Sequence, residues 1–517
     1  MVEVSVDIAY SWARMLIALA LSILFSLAVG IFAARNKRAE SVIIPLLDVF
    51  QSIPILGFFP VVILGVVAVI PGDIGVDIAV IFLIFTSMSW NIAFGVYEAV
   101  KAIPQDYIDL SNMSNASAIG RVFTLYIPSS LSRIAYNSQT SWAVGLFYLV
   151  ASEIFSLGGQ NFHVTHGIGV AIINFLNAQD YVGYAYSIIA LLVAVAVWQV
   201  VFLREFSLWA ERYRFGEAPH GERRDPLMRV YSWINSRSIA KLFLLTQGRG
   251  VTGFTSSLQK FRRGIVYSVL ISVVLFLGFG IVAGIATART SVQIPSIQNL
   301  LTIESGVLVG LGFSLIRVWY VYFLAVLVGV PLGIAIALRT RLYDVMVPVL
   351  EVVASVPAPA LLPVILFAAA GQGEVVAAVI IFLGMIWYII FNTMGGIRSL
   401  PEEIFQLKRV FHVSTVKAWR DVYLPASATA FVTGSITAIG AAWNTLIIAE
   451  YFSTKDITTQ VNTGIGKIIA VATNHNPADL LTLYLAIASM TVLIVAFNLT
   501  VWRRAYHYTT RRYAYNR

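Results

Sequence analysis

The sequence contains two similar segments that lie about 300 positions apart. Residues 44–60 (IPLLDVFQSIPILGFFP) correspond to residues 347–363 (VPVLEVVASVPAPALLP), with three prolines, an acidic residue and a serine in register. A repeat of this length predicts that one polypeptide carries both halves of a two-fold assembly. Further matched pairs follow along the chain: Trp90 with Trp387, Pro104 with Pro401, Pro128 with Pro425, Glu153 with Glu450, and 167–169 with 464–466 (both Gly-Ile-Gly).

The composition of the chain excludes a soluble enzyme. Of its 517 residues, 58% are hydrophobic and only 12% are charged, so too few polar side chains are present to cover a soluble protein of this size. No cysteine is present, which excludes disulfides, thiolate metal sites and a cysteine nucleophile. The first apolar run follows an acidic segment without the basic flank and cleavage site of a signal peptide, and is therefore expected to be a retained membrane span.

The apolar runs predict an all-α polytopic membrane protein. A helix of about 20 apolar residues is long enough to cross roughly 30 Å of hydrocarbon. Eleven transmembrane helices are predicted, five in the first half of the chain and six in the second. They lie near 9–33, 43–70, 76–97, 129–154, 183–203, 264–288, 312–337, 346–370, 375–397, 426–452 and 479–502.

The basic residues predict the side of the membrane on which each loop lies. Lys and Arg in short loops stay on the cytoplasmic side, and most of the 35 Lys and Arg residues share one side if the N-terminus is outside and the C-terminus is cytoplasmic. Loops on the other side, such as 71–77 (PGDIGVD), carry acidic residues. The net charge of +9 therefore indicates orientation in a lipid bilayer and not a nucleic-acid surface.

The number of helices fixes how the two repeats are related. Five helices that start outside must end inside, so a second copy in the same orientation needs one additional crossing. The run at 264–288 has no partner in the first half and supplies it, which makes the repeats parallel and not inverted. The predicted organisation is a first five-helix repeat at 1–215, a basic cytoplasmic linker at 216–263, the extra helix at 264–288, an outer loop at 289–311, and a second five-helix repeat with a basic tail at 312–517.

Each repeat has a long loop after its third helix that is more than a turn. The loops span 101–128 (KAIPQDYIDLSNMSNASAIGRVFTLYIP) and 398–425 (RSLPEEIFQLKRVFHVSTVKAWRDVYLP). Proline suits the first turn of a helix, and the acidic residues that follow it favour the positive end of the helix dipole. Two short cytoplasmic helices are predicted in each loop, with a break at Asn115 or His412, because Asn and His are enriched where a non-glycine residue is left-handed.

These loops resemble the EAA loop of ABC importer permeases, in which Glu-Ala-Ala is followed by Gly three residues on and then by hydrophobic-Leu-Pro. Counted back from the closing prolines, the Glu-Ala-Ala places hold 109–111 (DLS) and 406–408 (QLK), so the spacing is kept while the letters differ. The proline-rich helix upstream and the Glu followed by Gly-Ile-Gly downstream are similar to the nitrate, taurine and sulfonate group of these permeases. The resemblance assigns ATPase coupling to Pro104, Asp106, Asp109, Asn115, Ser117, Pro401, Glu403, Gln406, His412 and Ser414.

The resemblance implies the transmembrane pore subunit of an ATP-driven importer, which is not itself an enzyme and holds no cofactor. In the family, two ATPase subunits carry the ATP and Mg²⁺ and move these loops, while an extracytoplasmic binding protein delivers the solute. This chain lacks a phosphate-binding GxxxxGK[ST] loop, because its Gly-Lys pair is followed by Ile468. The resemblance also implies a small anion as solute, the inner membrane of a prokaryote as location, and no need for a second permease copy.

Two arginines and two glutamates at matched positions are candidates for the transport pathway. Arg14 and Arg317 lie near the predicted outer ends of their helices, where two guanidinium groups could attract an anion. The alternatives are that they reach to the outer surface or pair with the acidic N-terminal segment. Glu153 and Glu450 lie late in long helices, where they could act in gating or accept a structural hydrogen bond.

Two serines complete the set of pathway candidates. Ser52 and Ser355 lie beside prolines that are predicted to interrupt their helices, freeing carbonyl groups that must face protein or a wet cavity. The serines could therefore line the pathway, or the prolines could serve helix packing alone. The prolines are Pro54, Pro60, Pro357, Pro359 and Pro363.

Alternatives to the anion importer remain open. A permease for amino acids, metals or sugars would share these features, because the binding protein selects the solute. A secondary transporter with parallel repeats should carry charge relays at mid-membrane and would not need two matched cytoplasmic loops. No metal site is predicted in the chain, since His163 and His166 lie on an outer loop without a cysteine or a convincing carboxylate partner.

Overall fold

The computed structural model of the chain describes the parts that belong to the two repeats. The predicted linker at 216–263 and the predicted extra helix at 264–288 lie outside the described residues. The described residues are 2–52, 54–113, 117–158, 164–210, 297–369, 371–400, 403–405, 410–411, 414–453, 458–475 and 479–513.

The described part of the first repeat is helical. Its fourth and seventh helices flank the loop at 101–128, and its eighth is a short helix that begins within the Gly-Ile-Gly segment 167–169. The helices are α1 (Val2–Arg35), α2 (Lys37–Ser52), α3 (Ile55–Val69), α4 (Asp73–Lys101), α5 (Gln105–Met113), α6 (Ala118–Arg121), α7 (Ile127–Gly158), α8 (Ile168–Asn177), α9 (Tyr181–Trp198) and α10 (Arg204–Ala210).

The described helices of the second repeat follow the same order, except that no complete counterpart of α5 is described and one pair of strands is added. A two-stranded antiparallel pair, β1 (Tyr451–Ser453) and β2 (Thr458–Gln460), precedes its second Gly-Ile-Gly segment. The helices are α11 (Ile297–Ala337), α12 (Thr340–Ala354), α13 (Ala358–Ala368), α14 (Gly373–Arg398), α15 (Thr415–Ala418), α16 (Leu424–Glu450), α17 (Ile465–Asn474), α18 (Leu480–Phe497) and α19 (Arg503–Tyr513). The segment 297–311, predicted as part of an outer loop, is instead the first part of α11, because its apolar residues continue the helical pattern of the span that follows.

Wider π turns also occur at matched positions, which supports the duplication. Val122–Tyr126 joins α6 to α7, and Trp419–Tyr423 joins α15 to α16. A second pair, Gln199–Leu203 and Asn498–Trp502, joins α9 to α10 and α18 to α19. π turns are rare in helices and tend to mark functional positions, so their recurrence in both repeats indicates a shared architecture.

The predicted count of eleven spans is not confirmed. Seven helices of the described residues are long and apolar enough to cross a membrane, or eight if one bent pair is a single span. The run at 264–288 is outside the described residues, the runs at 43–70 and 346–370 are each broken into two helices, and α7 has a polar first half. The seven helical segments are Glu3–Arg35, Asp73–Lys101, Tyr181–Ser207, Leu301–Ala337, Gly373–Arg398, Val416–Glu450 and Leu480–Arg512.

Two of the five prolines lie at the helix breaks, directly before the helix that follows each break. In the second repeat α12 and α13 meet at 86°, with Pro357 at the start of α13 and in extended conformation. Pro54 holds the same place before α3 in the first repeat. The expectation of an interruption is wrong for the three other prolines, Pro60, Pro359 and Pro363, which lie inside α3 or α13. Pro359 lies in the first turn, where no intrahelical N–H hydrogen bond is needed. Pro60 and Pro363 are the sixth residues of their helices, so each removes one hydrogen bond to the carbonyl four residues earlier while the helix continues.

Small residues bring the long helices of each repeat close together. Ser22 and Ser26 of α1 donate hydrogen bonds to the carbonyls of Phe85 and Ser89 in α4. In the second repeat a methyl group at Gly333 would lie only 2.9 Å from the carbonyl oxygen of Ile390 in α14. Such contacts are typical of membrane helices, where packing and polar contacts replace the hydrophobic effect.

The two repeats also contact each other. The hydroxyl of Tyr184 in α9 donates a hydrogen bond of 2.8 Å to the carbonyl oxygen of Ala360 in α13. The ring of Tyr181 packs edge-on against Phe367, also in α13, at 5.4 Å between centroids. The proline-broken helix of the second repeat therefore packs on the last long helix of the first.

Candidate functional site

In the first loop, at 101–128, only one of the two predicted short helices is separate from the long helix that follows. Pro104 immediately precedes α5, its carbonyl accepts a hydrogen bond from the Tyr107 N–H, and Asp106 lies exposed in the first turn. Asp109 accepts a hydrogen bond of 3.0 Å from the Gln105 side chain. After residues 114–116, which include Asn115 and lie outside the described residues, Ser117 caps α6 by accepting from the Gly120 N–H. The second predicted helix is thus present, but it runs through the π turn into α7 because no helix breaker intervenes.

The second loop is described only in part. Pro401, Gln406 and His412 lie outside the described residues, while Glu403 is exposed within the short helical stretch 403–405. Ser414 precedes α15 and is exposed, and its carbonyl accepts a hydrogen bond from the Ala418 N–H. As in the first loop, α15 leads through a π turn into the long helix that follows.

Both loops expose large apolar side chains. In the first loop Leu110 is 65% exposed and Met113 is 83% exposed. In the second loop Phe411 and Val416 are 71% and 78% exposed. These residues lie outside the seven apolar segments or at the beginning of one, beside charged residues. Exposed apolar groups rimmed by polar residues are typical of protein interaction surfaces.

A charged contact joins α2 to the end of α4, the helix that leads into the first loop. Glu40, near the start of α2, accepts hydrogen bonds of 2.6 Å from Lys101 Nζ and from the Tyr97 hydroxyl at the end of α4. The Lys101 hydrogen bond, followed by that of Tyr97, lowers the pKa of Glu40. In the second repeat a cation–π contact takes this place, with the Arg398 guanidinium 4.0 Å from the Tyr343 ring centroid. Each contact fixes the end of the long helix that leads into one of the two loops.

Arg14 and Glu153 form the centre of a buried polar cluster in the first repeat. The Arg14 side chain donates to Glu153 Oε1 at 2.8 Å and to Asp77 Oδ1 at 3.0 Å. Glu153, which is fully buried, also accepts from the Ser11 hydroxyl at 2.7 Å and from the Gly169 N–H at 2.8 Å. The cluster therefore ties α1, α4, α7 and α8 together at one point.

The second repeat rebuilds the same cluster from matched residues. Arg317 donates to Glu450 and, at 2.9 and 3.0 Å, to both carboxylate oxygens of Glu374. Glu450 is fully buried and also accepts from the Ser314 hydroxyl at 2.6 Å and from the Gly466 N–H at 2.7 Å. The Ile465 N–H in turn donates to Ser314 Oγ at 2.9 Å. Every polar group of the first cluster has a counterpart here.

The hydrogen bonds of the two clusters show which groups pair with the arginines. Arg14 and Arg317 are only 5% and 3% exposed, and each is paired with one buried and one half-exposed carboxylate. The arginines do not reach to the surface, and both glutamates accept structural hydrogen bonds. Contact with an anion and a part in gating stay predictions for these four residues.

The sequence interpretation missed four members of the clusters, although a signal was present. Ser11 and Ser314 lie three residues before the paired arginines, and Asp77 and Glu374 lie within the first five residues of the matched helices α4 and α14. All four recur at the repeat offset with conserved chemistry between the two halves. Comparing the halves for polar residues inside apolar runs would have found them.

The serine candidates lie at the helix breaks. Ser355 follows α12, and its hydroxyl donates at 2.6 Å to the Glu351 carbonyl, which also accepts a hydrogen bond of 3.1 Å from the Ser355 N–H. Ser52 is the last residue of α2, and its side chain lies outside the described residues. The structure places both at the entry to the proline-broken helices, and their part in lining the pathway stays a prediction.

One polar contact distinguishes the first repeat from the second. Asp7 accepts hydrogen bonds from the Gly167 N–H at 3.1 Å and from His166 at 3.3 Å, and the His166 ring stacks on Tyr10. The position that corresponds to Asp7 in the second repeat is Gly310. Among the described residues no group of three or more metal-ligating side chains occurs, and His163 lies outside them.

The duplicated helical architecture, the two matched loops and the paired polar clusters are features of a membrane component of a transport system. The chain belongs to the family of binding-protein-dependent transport system inner membrane components. The family model matches the chain twice, at residues 26–207 and 329–512. Both repeats are therefore members of the family, and the predicted duplication and the resemblance to permeases are confirmed.

Individual relatives are permeases for several solutes. The nitrate import permease of Leptolyngbya laminosa is 33% identical over 147 residues, which are 28% of this chain and 52% of that protein. A bicarbonate transport permease of Synechococcus elongatus is 28% identical over 212 residues, or 38% and 76% of the two chains. The taurine transport permease of Escherichia coli is 27% identical over 197 residues, or 38% and 66%. The chain spans about half the length of the nitrate permeases that it matches.

Proposed function

We propose that this chain forms the complete transmembrane pathway of an ATP-driven importer for a small anion. Separate ATPase subunits act on the two cytoplasmic loops, and an extracytoplasmic binding protein delivers the solute. Two ATPase copies serve one chain, and the N-terminus lies outside while the C-terminus is cytoplasmic. The observation that carries the proposal is the double family match, because a transporter of this family with two repeats in one chain needs no second permease.

The exposed apolar residues of the loops support the coupling role. Leu110 lies in the short helix α5, which follows α4 after a connection of three residues, and Phe411 is exposed in the second loop. A push on α5 is transmitted to α4 through a short connection and to α7 through the π turn. Rigid helices that share a terminus with a docking element can switch a pathway between two states.

The anion assignment is supported by the relatives. Nitrate, bicarbonate, taurine and aliphatic sulfonates are named for the related permeases. All four named solutes carry an anionic oxygen group. Because the relatives span different solutes and the binding protein selects among them, the proposal commits to the class of small oxyanions and sulfonates and not to one member.

Glutamate substitutions at the exposed apolar residues of the two loops test the coupling role. Leu110→Glu and Phe411→Glu are each expected to weaken copurification of the ATPase by about 2 kcal/mol, or roughly thirtyfold in Kd, because truncated or charged central contacts typically lose this much. ATP-dependent uptake into proteoliposomes should fall in parallel, while membrane insertion is unchanged. Uptake is measured with radiolabelled nitrate, bicarbonate and taurine in the presence of the binding protein.

Val182→Glu is the matched control for these variants. Val182 is 81% exposed near the start of α9, on the side of the membrane opposite to the loops, so it adds the same charge without touching the ATPase. If both loop variants copurify the ATPase as well as the wild type does, the coupling role is contradicted. Uptake by the chain without any ATPase would contradict the transport class and favour the secondary transporter.

A further inference from the structure

The last helix of the chain carries a basic face that the proposed function does not use. Helix α19 exposes Arg504, His507, Tyr508, Arg511 and Arg512 around an open cavity of about 650 Å³. Arg512 donates a hydrogen bond to the Tyr508 hydroxyl, and its guanidinium lies 5.7 Å from the centroid of that ring. We propose that this face binds the phosphate headgroups of anionic phospholipids.

The opposite face of α19 is fixed by packing, which leaves the basic face outward. Trp502, just before the helix, is buried and stacks on Trp319 of α11 at 6.3 Å. Ala505 packs against the core and Thr509 is buried. These residues are spaced three and four apart, so they form one stripe, and the arginines lie on the other side of the helix.

The length of the helix places the basic face at the level of the headgroups. The continuous helical segment Leu480–Arg512 has 33 residues, which corresponds to about 50 Å at 1.5 Å per residue. The hydrocarbon layer accounts for about 30 Å of this length. The apolar helix α18 fills that layer, so α19 lies in the headgroup region and beyond it, where Arg and Tyr side chains are favoured.

The exposed surface of this helix changes from apolar to basic without a gap. Val492, Leu499 and Val501 are 68%, 50% and 40% exposed, and apolar side chains exposed on a membrane helix face acyl chains. Arg504 follows Val501 by three residues, and Tyr508 follows Arg504 by four. The molecules that cover Val501 with their chains therefore present their phosphate groups to Arg504, Arg511 and Arg512. This continuity favours a lipid over a soluble anion or a protein partner.

The first repeat shows that the fold does not require this charge. The matched π turns align α10 with α19, so that Glu205 and Leu208 stand where Arg504 and His507 stand in the second repeat. Both helices pack on the long helix that follows the cytoplasmic loop of their own repeat. At these two positions the first repeat is acidic or apolar, whereas Arg212, at the position of Arg511, is basic in the sequence. The fold therefore does not require the complete basic face.

Headgroup quenching in nanodiscs tests the proposal on the full chain. Because the chain contains no cysteine, Tyr506→Cys provides a single labelling site on α19, exposed and outside the cavity lining. A quencher is attached to the headgroup of phosphatidylglycerol or of phosphatidylcholine at equal mole fraction. Each arginine near an anionic surface contributes about fivefold in binding. Stronger quenching by phosphatidylglycerol is expected, and the preference should weaken as salt concentration rises.

Charge removal then identifies the responsible residues. Arg504→Gln/Arg511→Gln/Arg512→Gln is expected to abolish the preference, a loss of up to about a hundredfold. The triple variant Arg38→Gln/Arg339→Gln/Arg341→Gln removes the same charge from other exposed positions. This variant should keep the preference for phosphatidylglycerol. Since all six side chains are exposed, the midpoint of thermal unfolding should stay at the wild-type value in both.

Three results would overturn the proposal. Equal quenching by the two lipids in the wild type would show that the face does not select anionic headgroups. Competition by inorganic phosphate, beyond that of sodium chloride at the same ionic strength, would assign the face to a soluble anion. Loss of ATPase copurification in the α19 triple variant, with the lipid preference intact, would assign it to a protein partner.

Discussion

Glu450→Ala is expected to destabilise the second repeat by about 3 kcal/mol, because it leaves the buried Arg317 with only one carboxylate partner. Glu450 is fully buried and accepts hydrogen bonds from Ser314, Arg317 and Gly466. Alanine removes an acceptor from all three donors at once. A fall in the midpoint of thermal unfolding of the detergent-solubilised chain measures the effect, and ATP-dependent uptake should be lost above the lowered midpoint.

The matched control for this variant is an exposed ion pair. Asp421 lies 3.8 Å from Arg420, and both side chains are mostly exposed. Asp421→Ala should change the free energy of unfolding by less than about 1 kcal/mol, as surface ion pairs typically do. Glu153→Ala should match Glu450→Ala, because it removes the same acceptor in the first repeat. If Glu450→Ala unfolds at the same temperature as Asp421→Ala, the cluster does not stabilise the repeat.

Much of the fold could be predicted because the sequence is duplicated, so that a feature found in one repeat is also expected at the matched position of the other. The breaks before Pro54 and Pro357 and the helix that follows Pro104 were predicted from residue types alone, since proline restricts the backbone locally. The second short helix of each loop was not separated from the long helix, because a π turn leaves no mark in composition. The number of spans could not be fixed from hydropathy, since a broken run such as 346–370 is as apolar as a straight one.

The polar clusters could be predicted only in part. The sequence singled out Arg14 and Glu153 as unusual charges, but they lie 139 positions apart, and nothing in an apolar pattern states which distant helices touch. The pairing is decided by the packing of α1 against α7. The residues that complete the cluster, such as Ser11 and Asp77, are common residue types whose importance appears only when the two repeats are compared.

Gly464→Ala is the second variant with a large expected effect, because a methyl group there has no room. The added carbon would lie 2.2 Å from Glu450 Oε2 and 2.6 Å from Oε1. The backbone at Gly464 is extended, with φ of 179°, so alanine can adopt it and the cost arises from the contact alone. The carboxylate cannot withdraw without losing its hydrogen bonds to Ser314 and Arg317. A loss of about 2–3 kcal/mol is expected, the upper range for an overpacked site.

A double-mutant cycle separates this contact from a general effect of the substitution. Asp in place of Glu450 shortens the side chain by one methylene and moves the carboxylate away from position 464. Gly464→Ala should therefore cost at least 1 kcal/mol less in the Glu450→Asp background than in the wild type, a coupling typical of residues in contact. Gly440→Ala, in the interior of α16 with no atom within 4 Å of the added carbon, should stabilise the chain by up to about 1 kcal/mol. Additive costs at positions 464 and 450 would show that the glycine is not required by the carboxylate, and the cluster would then lack the tight coupling between α16 and α17 that its hydrogen bonds indicate.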